Sequence, residues 1–487
     1  MKPQNLLVIM SDEHSRKVLG CYGNPIVQTP HLDAVAARGT RFSQAYTSSP
    51  ICVPARAAFA LGQYVHQVGF WDNADPYDGS VQSWHHLLRA RGHHVTSIGK
   101  LHFRSSDEDN GFSEELLPMH VVDRKGDLIG LLRDPLAPRG HAKKLAATAG
   151  PGESTYTTYD RAIAAQAQIW LREQAGQHRD KPWVLFVSFV APHFPLTAPP
   201  EHYYRYADQK LPLPKLHGRP TNDMHPFVRD YAGCIDYGAY FEDDRHVHRA
   251  LASYYGLCSF LDEQVGKVLQ ALEAAGLTDQ TRVVYTSDHG DNLGTRGLWG
   301  KSTLYEESAG CPLIVAGESL PAGRVCDEPA GHVDIFPFLF DAVGEDRTPL
   351  MKDRPGVSLA RLAQGEKPDR DLLVEYHATG SVAGAFAIRH GRFKYMFYIA
   401  HPPELYDLQA DPEELVNLAG DPAHAATLAE CDAALRRICN PEAVEARVKA
   451  RQAEIIEQHG GRAAIEARGD FGNTPAPGET ARFYQAA

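Results

Sequence analysis

A chain of 487 residues, 43% hydrophobic and 23% charged, can bury a sizeable core and does not have the composition of a disordered protein. Its 49 lysines and arginines against 61 aspartates and glutamates leave a formal charge of −12 with no dense basic block, which excludes nucleic acid as a partner and leaves any anionic substrate to a local cluster of cations. No stretch is long and apolar enough to cross a membrane, and the eight cysteines show no C-x-x-C spacing, so no disulfide framework or zinc site is expected and a cytoplasmic location fits best.

In chain order, Leu6–Met10 reads as a buried strand. Its apolar run is too short for a secretion signal and leads at once into Ser11-Asp12-Glu13-His14. An amphipathic helix is expected over Thr29–Arg38. The Ser/Pro-rich loop Thr47–Ile51 then delivers Cys52-Val53-Pro54-Ala55-Arg56 onto the helical run Ala57–Leu61, closed by Gly62. A cysteine there faces the unpaired N–H groups and positive end of a helix, which favours developing negative charge. On local spacing alone it could equally be a buried structural thiol.

Further strands are expected at His94–Ile98, Val184–Val190, Val283–Thr286 and Leu313–Ala316, alternating with helices at Tyr159–Gln174 and Leu251–Ala275. That alternation predicts an α/β layer fold. Lys210–Asp244, rich in Pro, His, Tyr and Asp, reads as an excursion or lid. Past Gly356–Gly365 the pattern changes, with Asp371–Tyr376, Ala385–Arg389 and Arg392–Phe397 as strands of a smaller antiparallel sheet. Pro441–Arg468 reads as one or two helices broken at Gly460-Gly461. The expected units are a large α/β domain over 1–366, a smaller α+β domain over 367–440 and a helical, then extended, tail over 441–487. The aromatic residues after Gly469 are too few to fold alone and predict packing on a neighbouring subunit, hence a homo-oligomer, dimer or tetramer.

Polar groups gather at one end of these strands. Asp12 follows the first, Lys100 and His102 the second, His193 the third and Asp288-His289 the fourth. Ligands of open α/β sheets bind outside the carboxyl ends of the strands, so this is the expected active site. Asp12, Glu13, Asp288 and His289 offer hard oxygen donors and one imidazole to a divalent cation, Ca²⁺ first, with Mn²⁺ or Mg²⁺ as alternatives. Arg56, Lys100, His102, His193 and Lys301 form an anion cradle for a sulfuryl or phosphoryl group, with histidine suited to proton transfer.

These residues together resemble the type I, formylglycine-dependent sulfatases of the alkaline-phosphatase-like superfamily. The resemblance runs nearly end to end: Leu7-Val8-Ile9-Met10-Ser11-Asp12, Thr29-Pro30-His31-Leu32-Asp33, the Cys52–Arg56 tag, Gly99-Lys100-Leu101-His102, Ala191-Pro192-His193, Thr286-Ser287-Asp288-His289-Gly290-Asp291, Trp299-Gly300-Lys301 and Glu404-Leu405-Tyr406-Asp407. It implies a large, mixed, mostly parallel sheet flanked by helices. It further implies that a formylglycine-generating maturation enzyme oxidises Cys52, whose product is also a metal ligand held by Arg56. Lys100 and Lys301 would then grip sulfate oxygens, His193 with Lys301 protonate the leaving group, and His102 serve the release of sulfate.

The Asp288-His289 pair resembles choline sulfatases and phosphonate monoester hydrolases, and Gly99-Lys100-Leu101-His102 sets the chain apart from the latter. Sulfate ester hydrolysis is therefore the expected reaction, with phosphonate monoester or phosphodiester hydrolysis as the alternative. Trp71-Asp72-Asn73-Ala74 and Glu375-Tyr376-His377 resemble the choline sulfatase branch, which makes Trp71, Asn73 and Glu375 candidate substrate contacts. A small alkyl, choline-type or aryl sulfate is the implied substrate.

Overall fold

A computed structural model of the chain describes residues 1–485. Its large sheet has eight strands: β1 (Asn5–Asp12), β2 (Gly39–Phe42), β3 (Val95–Lys100), β4 (Glu114–Met119), β5 (Val184–Pro192), β6 (Thr281–Ser287), β7 (Leu313–Ala316) and β8 (Arg324–Cys326). The order is β8-β2-β7-β6-β1-β5-β3-β4. β6, β1, β5, β3 and β4 run parallel, whereas β7 is antiparallel to both β6 and β2.

Alternation along β1 sorts its side chains into two cores. Leu6, Val8 and Met10 pack with Phe59 and Phe336 on one face. Leu7 and Ile9 pack with Ile163, Phe260 and Val265 on the other. A strand covered on both faces needs an unbroken apolar run, which is what Leu6–Met10 supplies. The first face is closed by α1 (Cys52–Leu61), and the second by α2 (Thr155–Glu173) and the long α3 (Asp244–Ala274). α4 (His332–Val343) lies against α1.

A second, antiparallel sheet of four strands follows, β9 (Leu372–Tyr376), β10 (Ala385–His390), β11 (Phe393–Tyr398) and β12 (Glu404–Asp407). α5 (Pro441–Gln458) and the helix Gly461–Arg468 are separated where Gly460 and Gly461 take φ of 87° and 81°, a left-handed break that glycine adopts without strain. The segment expected as a lid, Lys210–Asp244, contains a packed helix, Pro226–Cys234, with Phe227, Val228 and Tyr231 buried. In the tail expected over 441–487, Asp470 pairs with Tyr484, and Ala476 joins the core beneath α2 and α3. Residues 486–487 of that expected tail lie outside the described residues. Among the described residues no helix is long and apolar enough to cross a membrane.

Candidate active site

The site lies at the carboxyl ends of β1, β3, β5 and β6. Asp12 ends β1 and Lys100 ends β3; His193 follows β5, and Asp288-His289 follow β6. Cys52 opens α1, whose ten residues are all buried. The small side chains of Ala55, Ala57, Ala58 and Ala60 let that helix sit deep in the molecule. Gly62 then caps it at φ 66°, and a Cβ there would lie 2.4 Å from Phe336, so both conformation and space demand glycine.

Around Cys52 the polar groups converge. Its Sγ is 3.6 Å from Asp12 Oδ1 and 3.2 Å from His289 Nε2. Asp12 Oδ2 accepts from Arg56 Nη2 at 3.1 Å and pairs with Lys100 Nζ at 2.6 Å. Arg56 gives three more of its five N–H groups to Asp288 Oδ2 (2.9 Å), Ser188 Oγ (2.9 Å) and the Lys100 carbonyl (2.8 Å). Its guanidinium is thus foremost a clamp on two carboxylates. Lys301 Nζ donates to Glu13 Oε2 at 3.0 Å, and His193 Nε2 lies 3.4 Å from the same oxygen. Glu13 (φ 66°), His102 (φ 56°) and Ser302 (φ 77°) all take left-handed backbone here, the local strain that accumulates at working sites.

The charges are unevenly poised. Burial alone would raise Asp12, but Lys100, His193, Lys301 and Arg56 outweigh it and hold the carboxyl well below its usual range. Glu13 goes the other way: burial, resisted by Lys301 and reinforced by Asp291, pushes it up to about 8. Asp291 is itself raised to about 6 by burial. Burial, with Asp12 adding to it, lifts the Cys52 thiol to about 12. Burial and nearby Lys301 keep His193 neutral, and burial with Lys100 does the same to His102. Lys301 is shifted upward: burial opposes its charge, but its acidic neighbours, Asp12 among them, outweigh that.

The donor atoms of Asp12, Cys52, Asp288 and His289 lie within 4.8 Å of one another, as do those of Asp12, Glu13 and His193. His289 Nδ1 donates to the Gly290 carbonyl at 3.0 Å, which leaves Nε2 as a free lone pair, the arrangement common to metal-binding imidazoles. Glu13 Oε1 is buried without a hydrogen-bond partner among the described residues. Crowded carboxylates, an oriented imidazole and an orphaned oxygen fit one divalent cation.

Above this floor is a cavity of about 90 Å³. Cys52, Asn73, His102, His193 and Lys301 line it, with Phe194, Tyr231, Tyr237, Arg139 and His141 on its walls. Phe471, Gly472, Asn473 and Thr474 of the C-terminal tail complete it. Asn73 also accepts the Val53 N–H at 3.1 Å in the first turn of α1.

Trp71 and Glu375 stand elsewhere. Trp71 is 3% exposed, edge-on to His377 at 5.5 Å with Arg447 over its ring. Glu375 is fully buried between His66 Nδ1 (2.8 Å) and His377 Nε2 (3.2 Å). Neither lines the cavity; Glu375 ties β9 to the helix Val65–Val68. Burial would raise its carboxyl, but His66 and His377 prevail and bring it from 4.5 to about 2. A depressed carboxyl stabilises the fold above its ordinary value and loses that contribution as pH falls through its folded value. Glu375→Gln is expected to cost about 3 kcal/mol at pH 7, leave KM within about twofold, and flatten the loss of stability between about pH 4.5 and 2. Urea titration across that range checks it, and a raised KM with unchanged stability would return Glu375 to the substrate.

Residues 4–345 match the Sulfatase family, and residues 294–440 the family described as N-sulphoglucosamine sulphohydrolase, C-terminal. The chain belongs to the sulfatase family. As a sulfatase it is a sulfuric ester hydrolase, as its sequence resemblance implied. The choline-sulfatase of Rhizobium meliloti (strain 1021) is 33% identical to it over 417 residues, spanning 84% of this sulfatase and 80% of the relative. Arylsulfatase K of Bos taurus is 28% identical over 438 residues, spanning 84% and 76%. The solved phosphonate monoester hydrolase of Agrobacterium radiobacter shares the fold, with a TM-score of 0.73 at 23% identity, covering 89% of this chain and 95% of that one.

Proposed function

We propose that this sulfatase hydrolyses the sulfate ester of a small organic molecule, an alkyl, choline-type or aryl sulfate, to alcohol and sulfate. The observation that carries the reading is Cys52, held between Asp12 and His289 under a small cavity with Lys100 and Lys301 beside it. In this reading Cys52 is oxidised to formylglycine by a maturation enzyme, as the Cys52–Arg56 tag and the sulfatase family imply. The hydrated aldehyde supplies an oxygen nucleophile and a second hydroxyl through which sulfate can be expelled; Asp12, Glu13, Asp288 and His289 would hold one divalent cation, whose charge would lower that nucleophile's pKa.

The side chains divide the remaining work. Arg56 fixes Asp12 and Asp288 as ligands. Lys100 and Lys301 bind the outer sulfate oxygens and stabilise charge as the ester bond breaks. Lys301 and His193, which meet at Glu13 Oε2, are the two candidate acids, and His193 has its Nδ1 on the Phe194 carbonyl. His193 with Lys301 protonates the leaving alkoxide, and His102 takes a proton when sulfate is released. The cavity's size favours a compact leaving group over a polymer.

A second reading, phosphonate monoester hydrolysis, draws on the Asp288-His289 pair and on the shared fold. Steady-state rates of matured enzyme on 4-nitrophenyl sulfate and 4-nitrophenyl phenylphosphonate separate the two. A kcat/KM ratio of about 100 or more for the sulfate, some 2.7 kcal/mol of discrimination, is expected. The reverse preference would overturn the choice.

A further inference from the structure

The floor of the site comes from strand ends, but one wall comes from the far end of the chain. Asp470 Oδ2 accepts from Arg139 Nε at 3.1 Å and from His141 Nδ1 at 2.9 Å. Lys144 Nζ donates to Asn473 Oδ1 at 2.7 Å, and the Tyr156 hydroxyl donates to the Thr474 carbonyl. These anchors hold residues 470–474 against the cavity and bring the Thr474 hydroxyl 3.0 Å from Nε2 of His102, a residue 372 positions earlier. Thr474 is 8% exposed and His102 5%. His102 Nδ1 is buried with no partner among the described residues.

A neutral imidazole carries one proton, and the partner of one nitrogen decides which nitrogen keeps it. Were Nδ1 protonated, a buried N–H would be left without an acceptor, and orphaned donors are rarer in proteins than orphaned acceptors. With the proton on Nε2 donated to Thr474 Oγ1, Nδ1 of this cavity-lining side chain keeps an unpaired lone pair. We propose that Thr474 is a positioning residue for His102, fixing the tautomer in which Nε2 bears the proton and Nδ1 is free to act as a base. This deepens the proposed function and rests on its assignment of His102 to sulfate release. In that step Nδ1 takes a hydroxyl proton as sulfate departs with its bonding electron pair, and the imidazolium then returns the proton to water.

The test uses the full-length matured enzyme with Thr474→Val, which keeps the shape and removes the acceptor, and Thr474→Ser, which restores it. Thr474→Val is expected to lower kcat on 4-nitrophenyl sulfate by about 10- to 100-fold with KM changed less than about twofold, and Thr474→Ser to recover most of the loss. The ¹⁵N spectrum of imidazole-labelled wild type, with His102 assigned by difference against His102→Gln, is expected to show protonated Nε2 and unprotonated Nδ1. Wild-type kcat in Thr474→Val, or a proton on Nδ1 of the wild-type His102, overturns the proposal. If Thr474→Val does not fold, the wild-type spectrum and the Thr474→Ser rate decide instead. If matured wild type turns over no sulfate ester, the functional reading fails with the catalytic role given to His102, while the spectrum still decides the pairing with Thr474.

Discussion

Replacing Cys52 with alanine is expected to reduce sulfate ester hydrolysis by about 10⁴-fold or more while leaving the fold intact. The loss follows from position. Among Asp12, Cys52, Asp288 and His289, whose donor atoms gather together, Cys52 is the member that also lines the cavity, which places it where a substrate would be attacked. The stability cost is small, about 1 kcal/mol, because alanine merely continues the small, buried surface of α1. Melting curves and 4-nitrophenyl sulfate turnover measure the two effects separately. The mass of the wild-type peptide containing Cys52 completes the experiment: formylglycine makes it about 18 Da lighter than the cysteine form. An alanine variant that still turns over sulfate esters would remove the nucleophile from this reading altogether.

Asp12→Asn is expected to damage both stability and metal binding. Asp12 neutralises Arg56 and Lys100 in a site with almost no solvent. Without its charge, Arg56 keeps only Asp288 and buried Lys100 loses its one ion-pair partner among the described residues, and breaking such an arrangement costs roughly 3 kcal/mol. The same oxygens belong to both donor groups that could hold a cation, so Ca²⁺ affinity is expected to fall by at least about 100-fold. Calorimetric titration of Ca²⁺ and Mn²⁺ into chelator-treated wild type and variant checks this and ranks the metals. Unchanged affinity in the variant would place the cation elsewhere.

The floor of the site was legible in the sequence because it is built by strand ends, and a central strand covered on both faces must be a recognisable apolar run. The strands of the large sheet that the sequence does not reveal, β2, β4 and β8, lie toward its edges, and in the small sheet the edge strand β12 is likewise hidden. β4 carries Glu114, Glu115 and Pro118, residues that an edge tolerates and that disguise a strand. The walls were not legible for another reason. Arg139, His141, Tyr237 and Thr474 sit on loops that carry no periodicity, and contacts between distant loops bring them to the cavity. Trp71 and Glu375 show the converse difficulty. A polar residue in a strand buried on both sides announces that it has a partner, but not whether that partner is a substrate or, as for Glu375, two histidines of the same chain.

The tail's place in the wall gives the molecule an order of completion. The large sheet can close once Cys326 has emerged from the ribosome, and the small sheet once Asp407 has. Carboxylates, Cys52 and both lysines would then already be in position. The cavity would still lack one side until residues 470–474 arrive and Asp470 docks on Arg139 and His141. A chain cut before these residues would thus hold a nearly whole core around an open, unaligned pocket.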